Sequence, residues 1–146
     1  MATIYVLVGL PGSGKTTWAH DHFRDAAIFS SDDYRERLFN TLETTPEQNK
    51  EVFGSLYSDL FKRLNSGHDC VYDATNTSRK DRRRVLSNVR KEHRKIAIYF
   101  DVSVELAKKR NQQRVRQVSD EVIDHFFNKL TPPTVEEGFD NIIRVC

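Results

Sequence analysis

Short apolar segments alternate with longer, more polar segments along the whole chain. The apolar segments predict strands, and these cover residues 3–8, 26–29, 70–72, 96–100 and 142–145. Helical spacing and capping signals predict helices, and these cover residues 15–25, 31–40, 45–66, 78–93, 103–113 and 119–130. This alternation favours a parallel sheet, because parallel strands need a crossover connection. We therefore expect one three-layer α/β domain over residues 1–146, with a mainly parallel sheet of five strands.

Capping residues mark where several of these helices begin. Thr45 is followed by Pro46 at the first helical position and by Gln48 at the capping-box position, which predicts a helix start. The helix before it can be capped by Ser31 or by Asp32. The apolar residues of the 45–66 helix repeat at helical spacing: Val52, Phe53, Leu56, Tyr57, Leu60, Phe61 and Leu64.

Charge is nearly balanced over the chain but unevenly distributed. The 146 residues include 23 Lys or Arg and 21 Asp or Glu, which gives a formal net charge of +2. Residues 79–116 hold 14 of the basic residues and 4 of the acidic ones. Such an excess indicates either a face that meets phosphate groups or an ordinary solvated helix, and charge alone does not separate the two.

Several classes of protein are disfavoured by what the sequence lacks. No run of about 18 apolar residues is present, so we expect no membrane span. No basic region precedes the first strand, so we expect no signal peptide. Cys70 and Cys146 are far apart in the sequence, which predicts free thiols in a reducing, cytoplasmic setting. The five histidines lack ligand spacing, which disfavours a zinc site.

A glycine-rich motif directly follows the first predicted strand. Residues 9–16 read G-L-P-G-S-G-K-T and match the phosphate-loop pattern G-x-x-x-x-G-K-S/T without a mismatch. Gly12 and Gly14 allow backbone angles that turn successive N–H groups toward phosphate oxygens. Lys15 then reaches the β- and γ-phosphates, and the Thr16 hydroxyl is a ligand for Mg²⁺. The motif predicts binding of ATP or GTP with Mg²⁺.

Two charged residues follow the second predicted strand, whose end lies beside the phosphate loop in a parallel sheet. Asp32 is placed to orient an acceptor hydroxyl and accept its proton, as a kinase requires, or it serves only as a helix N-cap. Arg35 lies one helical turn later on the same face. It can hold the Asp32 carboxylate or grip an acceptor phosphate, and the alternative is a surface ion pair.

Further candidates follow the third and fourth strands. Asp73 takes the usual place of the acidic residue that faces the Mg²⁺ site, and the alternative is an Asx turn with Thr75. Arg110 and Arg114 lie four residues apart, so both can point toward the γ-phosphate, although a single arginine is more commonly a solvated side chain. The expected nucleotide-binding residues are Gly9, Leu10, Pro11, Gly12, Ser13, Gly14, Lys15, Thr16, Thr17 and Arg110.

Four segments, in chain order, resemble the P-loop 5′-hydroxyl polynucleotide kinases of the phage type. They are Gly9–Trp18 (G-L-P-G-S-G-K-T-T-W), Asp32–Arg35 (D-D-Y-R), Asp73–Asn76 (D-A-T-N) and Phe100–Arg114, which holds F-D-V and K-R-N-x-x-R. The resemblance covers nearly the whole chain. It departs at Ser31, where the closest relatives are expected to carry a basic residue. The D-x-D-x-T motif of a phosphatase domain is absent, so we expect a stand-alone kinase or a kinase domain of a longer protein.

The resemblance implies a role for each matching residue. Asp32 would be the general base, and Arg35 would engage the acceptor end and help to place that base. Lys15 and Arg114 would embrace the transferring phosphate. Asp73 would complete the site beside Thr16 and Arg35, with Thr16 and Asp73 at the Mg²⁺ ion. The phage relatives also suggest a homo-oligomer.

The main functional hypothesis is ATP-dependent phosphorylation of the 5′-hydroxyl end of DNA or RNA. Part of the basic segment 79–95 would then contact the nucleic-acid backbone. One alternative keeps the chemistry and changes the acceptor to a small hydroxyl compound or a nucleoside. Another is a nucleotide-dependent ATPase or switch, although the sequence offers no obvious residue to position water.

Overall fold

Five strands form one fully parallel sheet in the computed structural model, which describes residues 1–146. The strands are β1 (Thr3–Val8), β2 (Ile28–Ser30), β3 (Cys70–Asp73), β4 (Arg94–Phe100) and β5 (Asn141–Val145). Their order across the sheet is β2-β3-β1-β4-β5, and every neighbouring pair is parallel. The expected five-stranded α/β architecture is confirmed, and the sheet is parallel throughout.

Helices connect the strands, as the crossover requirement demands. They are α1 (Lys15–His22), α2 (Ser31–Phe39), α3 (Pro46–Asn65), α4 (Arg79–Leu86), α5 (Val104–Gln112) and α6 (Asp120–Lys129). Short 3₁₀ turns occur at Asp25–Ala27 and Val135–Glu137. None of the helices combines the length and the apolar composition that crossing a membrane requires.

The central strand β1 is buried on both of its faces, which makes the fold a three-layer one. Ile4 and Val6 belong to a cluster that α3 and α4 cover on one side of the sheet. Leu7 belongs to a second cluster, on the other side, with Ala19 of α1. Burial on both faces explains why β1 is a continuous apolar run rather than an alternating one.

The start of α2 differs from the sequence prediction. Its N-cap is Ser30, whose hydroxyl accepts a hydrogen bond from the Asp33 backbone N–H at 3.3 Å, so the assignments to Ser31 and Asp32 were wrong. The helix begins directly after the last residue of β2, which leaves no intervening loop to supply the cap. Asp32 therefore lies in the first turn with its carboxylate free of a capping role.

Two helices are shorter than predicted. α4 ends at Leu86 rather than near His93, because residues 87–93 form turns that bring the buried His93 ring to the Ala2 N–H and to Asn65. α1 ends at His22, and the 3₁₀ turn that follows takes the first two residues of the predicted second strand. The predicted capping box at Thr45 is confirmed, with both of its hydrogen bonds to Gln48 present.

Candidate active site

The carboxyl ends of the strands open into one large cleft. Its volume of about 1320 Å³ exceeds the roughly 300–1,000 Å³ that a ligand pocket usually has. Ligands of open α/β sheets bind at this edge. The lining includes the loop after β1 and the last residue of every other strand: residues 11–18, Ser30, Asp73, Phe100 and Val145.

The phosphate loop connects β1 to α1 and depends on its glycines. Gly12 has φ of +82°, and a Cβ there would lie 2.4 Å from the Ala107 backbone oxygen of α5. Gly14 has φ of +97°. Both positions require a conformation that other residues rarely adopt, and Gly12 also permits the close approach of α5.

Lys15 folds back into the phosphate loop. Its Nζ donates hydrogen bonds to the backbone oxygens of Gly9 at 3.0 Å and Leu10 at 2.8 Å. Burial lowers the Lys15 pKa to about 8, and the nearby Asp73 carboxylate opposes this shift. Lys15 therefore carries its charge at neutral pH inside a largely desolvated loop.

Thr16 and Asp73 meet at the edge between α1 and β3. The Thr16 hydroxyl donates a 2.8 Å hydrogen bond to Asp73 Oδ2. Burial raises the pKa of Asp73, and the charge of Lys15 opposes the rise. The Asp73 carboxylate contacts α1, as expected, whereas no hydrogen bond or ion pair joins it to Arg35.

These two oxygen donors fit a magnesium ion better than a metal held by protein ligands alone. No group of three or more His, Cys, Asp or Glu side chains is placed to hold a metal ion. Mg²⁺ usually takes one or two protein carboxylates and completes its octahedron with water and substrate phosphates. The Thr16–Asp73 pair beside the phosphate loop matches that ligand chemistry.

Asp32 and Arg35 form a fixed pair on the first turns of α2. Arg35 Nη1 donates to Asp32 Oδ1 at 2.9 Å, and the Arg35 side chain is 19% exposed. Arg35 Nε also donates to Thr44 Oγ1 at 3.2 Å and to Asn49 Oδ1 at 3.4 Å. These hydrogen bonds fix the position of the Arg35 side chain, so it is more than a surface ion-pair partner. The Asp32 side chain stays 46% exposed in the cleft.

Three arginines in and just after α5 line the cleft, and one of them contacts the phosphate loop. Arg110 Nη1 donates to the Ser13 backbone oxygen at 3.2 Å. Arg114 lines the cleft, and its charge contributes to lowering the pKa of Lys15. Arg116 also lines the cleft, and it forms ion pairs with Asp33 and Glu36 of α2.

The basic segment 79–95, part of which was expected to contact a nucleic-acid backbone, does not form one continuous surface. Arg82 is fully buried and forms an ion pair with Glu137 at 2.7 Å. Residues 90–95 precede or begin β4, so they lie at the opposite edge of the sheet from the cleft. Arg84 of this segment lines the cleft. Only a small part of the segment is therefore available to a ligand in the cleft.

The loop after β3 is tied to the phosphate loop by residues to which the sequence alone assigned no contact. Asn76 has φ of 46°, and its Nδ2 donates to the Leu7 backbone oxygen at 2.9 Å. The Gly9 N–H donates to the Thr75 backbone oxygen at 3.0 Å. Asparagine tolerates the left-handed conformation, and this was the available signal for Asn76.

Two aromatic residues of α3 also line the cleft, although the sequence placed them with the apolar face of the helix. They are Phe53 and Tyr57, and both are partly buried. They lie one residue after the fully buried Val52 and Leu56. Because each aromatic residue directly follows a fully buried one, it lies on a neighbouring helical face. This one-residue offset was the sequence signal that these side chains do not belong to the centre of the core.

Solved structures of other proteins share this fold. A chain of the Pnkp1/Rnl/Hen1 RNA repair complex has a TM-score of 0.77 and 22% identity, over 88% of this chain and 44% of that chain. A fungal RNA kinase has a TM-score of 0.66 and 17% identity, over 100% of this chain and 38% of that chain. This chain therefore spans less than half the length of either protein.

A gluconokinase from Sinorhizobium meliloti 1021 is also similar to this chain. Its TM-score is 0.63 with 15% identity, over 98% of this chain and 81% of that chain. Likenesses at these identities show a shared P-loop kinase fold. They do not distinguish a nucleic-acid acceptor from a small one, since proteins of both kinds share the fold.

The sequence itself matches one family model. A comparison with curated proteins finds no match. The family model described as AAA domain matches residues 4–133, a range that holds the phosphate loop, Asp32, Asp73 and Arg114. Together with the parallel sheet and the glycine-dependent loop, this match establishes that the chain belongs to the AAA domain family.

Proposed function

We propose that this protein transfers the γ-phosphoryl group of ATP to the 5′-hydroxyl end of DNA or RNA. The observation that carries the proposal is the Asp32–Arg35 pair, which lines the same cleft as the phosphate loop. A phosphoryl transferase needs a carboxylate at the acceptor hydroxyl as well as a phosphate site. Here the carboxylate is fixed by a partly buried guanidinium and remains accessible.

The phosphate loop and the basic residues around it would hold the donor nucleotide. The loop N–H groups and Lys15 would bind the phosphates, while Arg110 and Arg114 would offset the charge that spreads over the moving phosphoryl group. Thr16 and Asp73 would hold Mg²⁺, which neutralises phosphate charge when bound. Most of the rate enhancement would come from positioning and electrostatics.

Asp32 would act on the acceptor. As the 5′-oxygen forms its bond to the γ-phosphorus and the bond to the ADP oxygen breaks, Asp32 would accept the hydroxyl proton. The exposure of the carboxylate lets that proton pass to water after transfer. Arg35, through its 2.9 Å hydrogen bond, would keep the carboxylate correctly oriented.

Three observations support a nucleic-acid acceptor. The cleft is larger than one small ligand requires, Arg84 of the basic segment lines it, and two of the similar structures are an RNA repair complex and an RNA kinase. We propose in addition that residues 1–146 act as one kinase domain. The second candidate function is phosphorylation of a small hydroxyl compound, and it is supported by the gluconokinase likeness over 98% of this chain.

The test is transfer of label from γ-labelled ATP to a short 5′-hydroxyl oligonucleotide, as DNA and as RNA. The same oligonucleotides with a 5′-phosphate are the acceptor control. Asp32→Asn should abolish labelling, while Asp33→Asn changes the adjacent carboxylate and should retain most of it. ATP binding, measured separately, should survive both substitutions.

Gluconate and free nucleosides are assayed in parallel to separate the two candidate functions. Labelling of a small compound without labelling of either oligonucleotide would replace the first proposal by the second. Labelling of the 5′-phosphorylated control would show that the 5′-hydroxyl is not the acceptor. ATP hydrolysis without labelling of any acceptor would indicate an ATPase instead.

A further inference from the structure

α3 carries two apolar stripes, and only one of them is completely buried in the core. Val52, Leu56, Leu60 and Leu64 repeat every four residues and are completely buried. Phe53, Tyr57 and Phe61 repeat with the same spacing one residue later and are only partly buried. These large aromatic side chains pack against the core but stay partly exposed, and the exposed part of each calls for another explanation.

Part of this second stripe lines the cleft. Phe53 and Tyr57 line it, whereas Phe61, one helical turn farther along, does not. The centroids of the Phe53 and Tyr57 rings are 6.0 Å apart and the rings are tilted by 40°. Tyr57 packs edge-on against the buried Tyr72 of β3, with 3.2 Å between the two hydroxyl oxygens. Phe53 and Tyr57 thus form an aromatic wall of the cleft that rests on the sheet.

The aromatic wall lies next to the proposed general base. The Arg35 guanidinium sits over the Phe53 ring, 5.5 Å from its centroid. The same guanidinium donates the 2.9 Å hydrogen bond to Asp32. One side chain therefore links the aromatic wall to the carboxylate, and a group held on that wall is adjacent to an acceptor hydroxyl at Asp32.

Flat aromatic rings beside a guanidinium suit a nucleobase. Bases that are splayed out of a strand stack on aromatic side chains and on arginine planes, whatever their sequence. We propose that Phe53 and Tyr57 form a base-binding subsite for the terminal nucleotide of the acceptor. The inference rests on the proposed function and adds to it that the acceptor is recognised through its base as well as its 5′-hydroxyl.

The test compares two oligonucleotide acceptors that differ only at the 5′-terminal nucleotide. One carries a normal base and the other an abasic tetrahydrofuran residue, and both have a 5′-hydroxyl. Stacking on an aromatic side chain predicts that the wild-type kcat/KM is about 5- to 100-fold higher for the acceptor with the base. The KM for ATP should be the same with both acceptors.

Variants of Phe53 test whether the aromatic wall causes the preference for the acceptor with a terminal base. Phe53→Ala and Phe53→Leu should lower kcat/KM for the normal acceptor and leave the abasic one nearly unchanged, which removes the preference. Phe53→Trp should restore it. Phe61→Ala removes an aromatic residue of the same stripe outside the cleft and should keep the preference. Thermal unfolding identifies any variant that does not fold, and the comparison of acceptors by the wild-type protein needs no variant.

Three outcomes would overturn the subsite. Equal wild-type kcat/KM for both acceptors would show that the base is not recognised, while the 5′-kinase proposal would still hold. An equal loss on both acceptors in Phe53→Leu would show that Phe53 acts only by supporting Arg35. Absence of labelling on both acceptors by the wild-type protein would overturn the proposed function itself, and the subsite with it.

Discussion

The Thr16 hydroxyl donates a 2.8 Å hydrogen bond to the carboxylate of Asp73, a residue 57 positions later in the chain. β1 and β3 are parallel neighbours, so the residues that follow each strand meet at one edge of the sheet. The strand pairing therefore assembles the proposed metal site from two distant segments. Substitution of either residue should act on the metal requirement before it acts on the fold.

Asp73→Asn keeps the size of the side chain and removes its charge. We expect the Mg²⁺ concentration for half-maximal activity to rise about 10- to 100-fold, because the remaining ligands carry one negative charge less. A Mg²⁺ titration of the labelling reaction measures this. Asp101→Asn is the matched control, since Asp101 follows the neighbouring strand β4 and pairs with Arg144. An unchanged Mg²⁺ midpoint in Asp73→Asn would show that Asp73 is not a metal ligand.

The low pKa of Lys15 predicts opposite pH effects on binding and on stability. Because burial lowers this pKa to about 8, the free protein loses the Lys15 charge above that pH. The kcat/KM for ATP should then fall by up to about tenfold per pH unit. Lys15→Met should bind ATP weakly at all pH values and show no alkaline decline.

The free energy of unfolding should change with pH in the opposite direction to kcat/KM for ATP. The unfolded chain, with an ordinary lysine pKa of 10.5, binds more protons than the folded chain between about pH 8 and that value. The contribution of Lys15 to the free energy of unfolding therefore rises with pH over this range. Urea unfolding of wild type and Lys15→Met at pH 7.5 and 9.5 measures it. A pH dependence that is identical in the two proteins would contradict the prediction.

Two glycine-to-alanine substitutions should have opposite consequences. Gly12→Ala places a Cβ 2.4 Å from the Ala107 backbone oxygen at a φ of +82°, so nucleotide binding should be lost. Gly54→Ala lies inside α3 with no atom within 4 Å of the added Cβ, and should raise the free energy of unfolding by about 1 kcal/mol. Chemical denaturation and ATP titration test both variants. Normal ATP binding by Gly12→Ala would refute the steric argument.

Neighbouring arginines of α4 should differ in their effect on a polymeric acceptor. Arg84→Ala removes a charge from the cleft, so the KM for oligonucleotides should rise and its dependence on salt should weaken by about one counterion. Arg83→Ala removes an exposed charge outside the cleft and should change little. Measurement of KM at several salt concentrations compares the two variants. Equal effects would mean that α4 acts only through its overall charge.

The buried Arg82–Glu137 pair should matter for stability. Its side chains are 1% and 3% exposed, so Arg82→Met leaves a buried carboxylate and should cost about 3–5 kcal/mol. The double variant with Glu137→Met should recover part of that loss. Arg83→Met is the control. Additive losses in the double variant would contradict a direct interaction.

The same pair predicts a loss of stability in acid. Burial on its own would raise the pKa of Glu137, but hydrogen bonds from Arg82 and Thr134 leave it below its ordinary value of 4.5. The pair's contribution is therefore complete above pH 4.5 and is lost as the pH falls through the lower, folded-state pKa. Unfolding at pH 3 and pH 6 should show a smaller change in the double variant than in wild type.

Local features of the fold could be predicted, because they depend on adjacent residues. The motif at residues 9–16, the capping box at Thr45 and the strand–helix alternation all have a fixed spacing. The assignment of Asp32 and Asp73 to one edge needed only the rule for parallel strands. Their actual partners, Arg35 and Thr16, followed from helix spacing and from the motif.

Other features depend on the strand order, which no local pattern contains. Whether Phe53 faces the core or the cleft is decided by which strand lies beneath α3. Arg82 was missed because its charge suggested solvent, although it shares a helical face with Val85 and Leu86 and is buried with them. The cap at Ser30 was missed because β2 and α2 join without a loop.

The strand order has a consequence for synthesis of the protein. The phosphate-loop motif leaves the ribosome before β3, β4 and Arg110, although β1 pairs with both of these strands and Ser13 is held by Arg110, 97 residues later. Long-range pairing of this kind cannot form until the later partner has emerged. A nascent chain that ends before β4 therefore carries the whole motif but lacks both the strand that pairs with β1 along its full length and the arginine that binds Ser13.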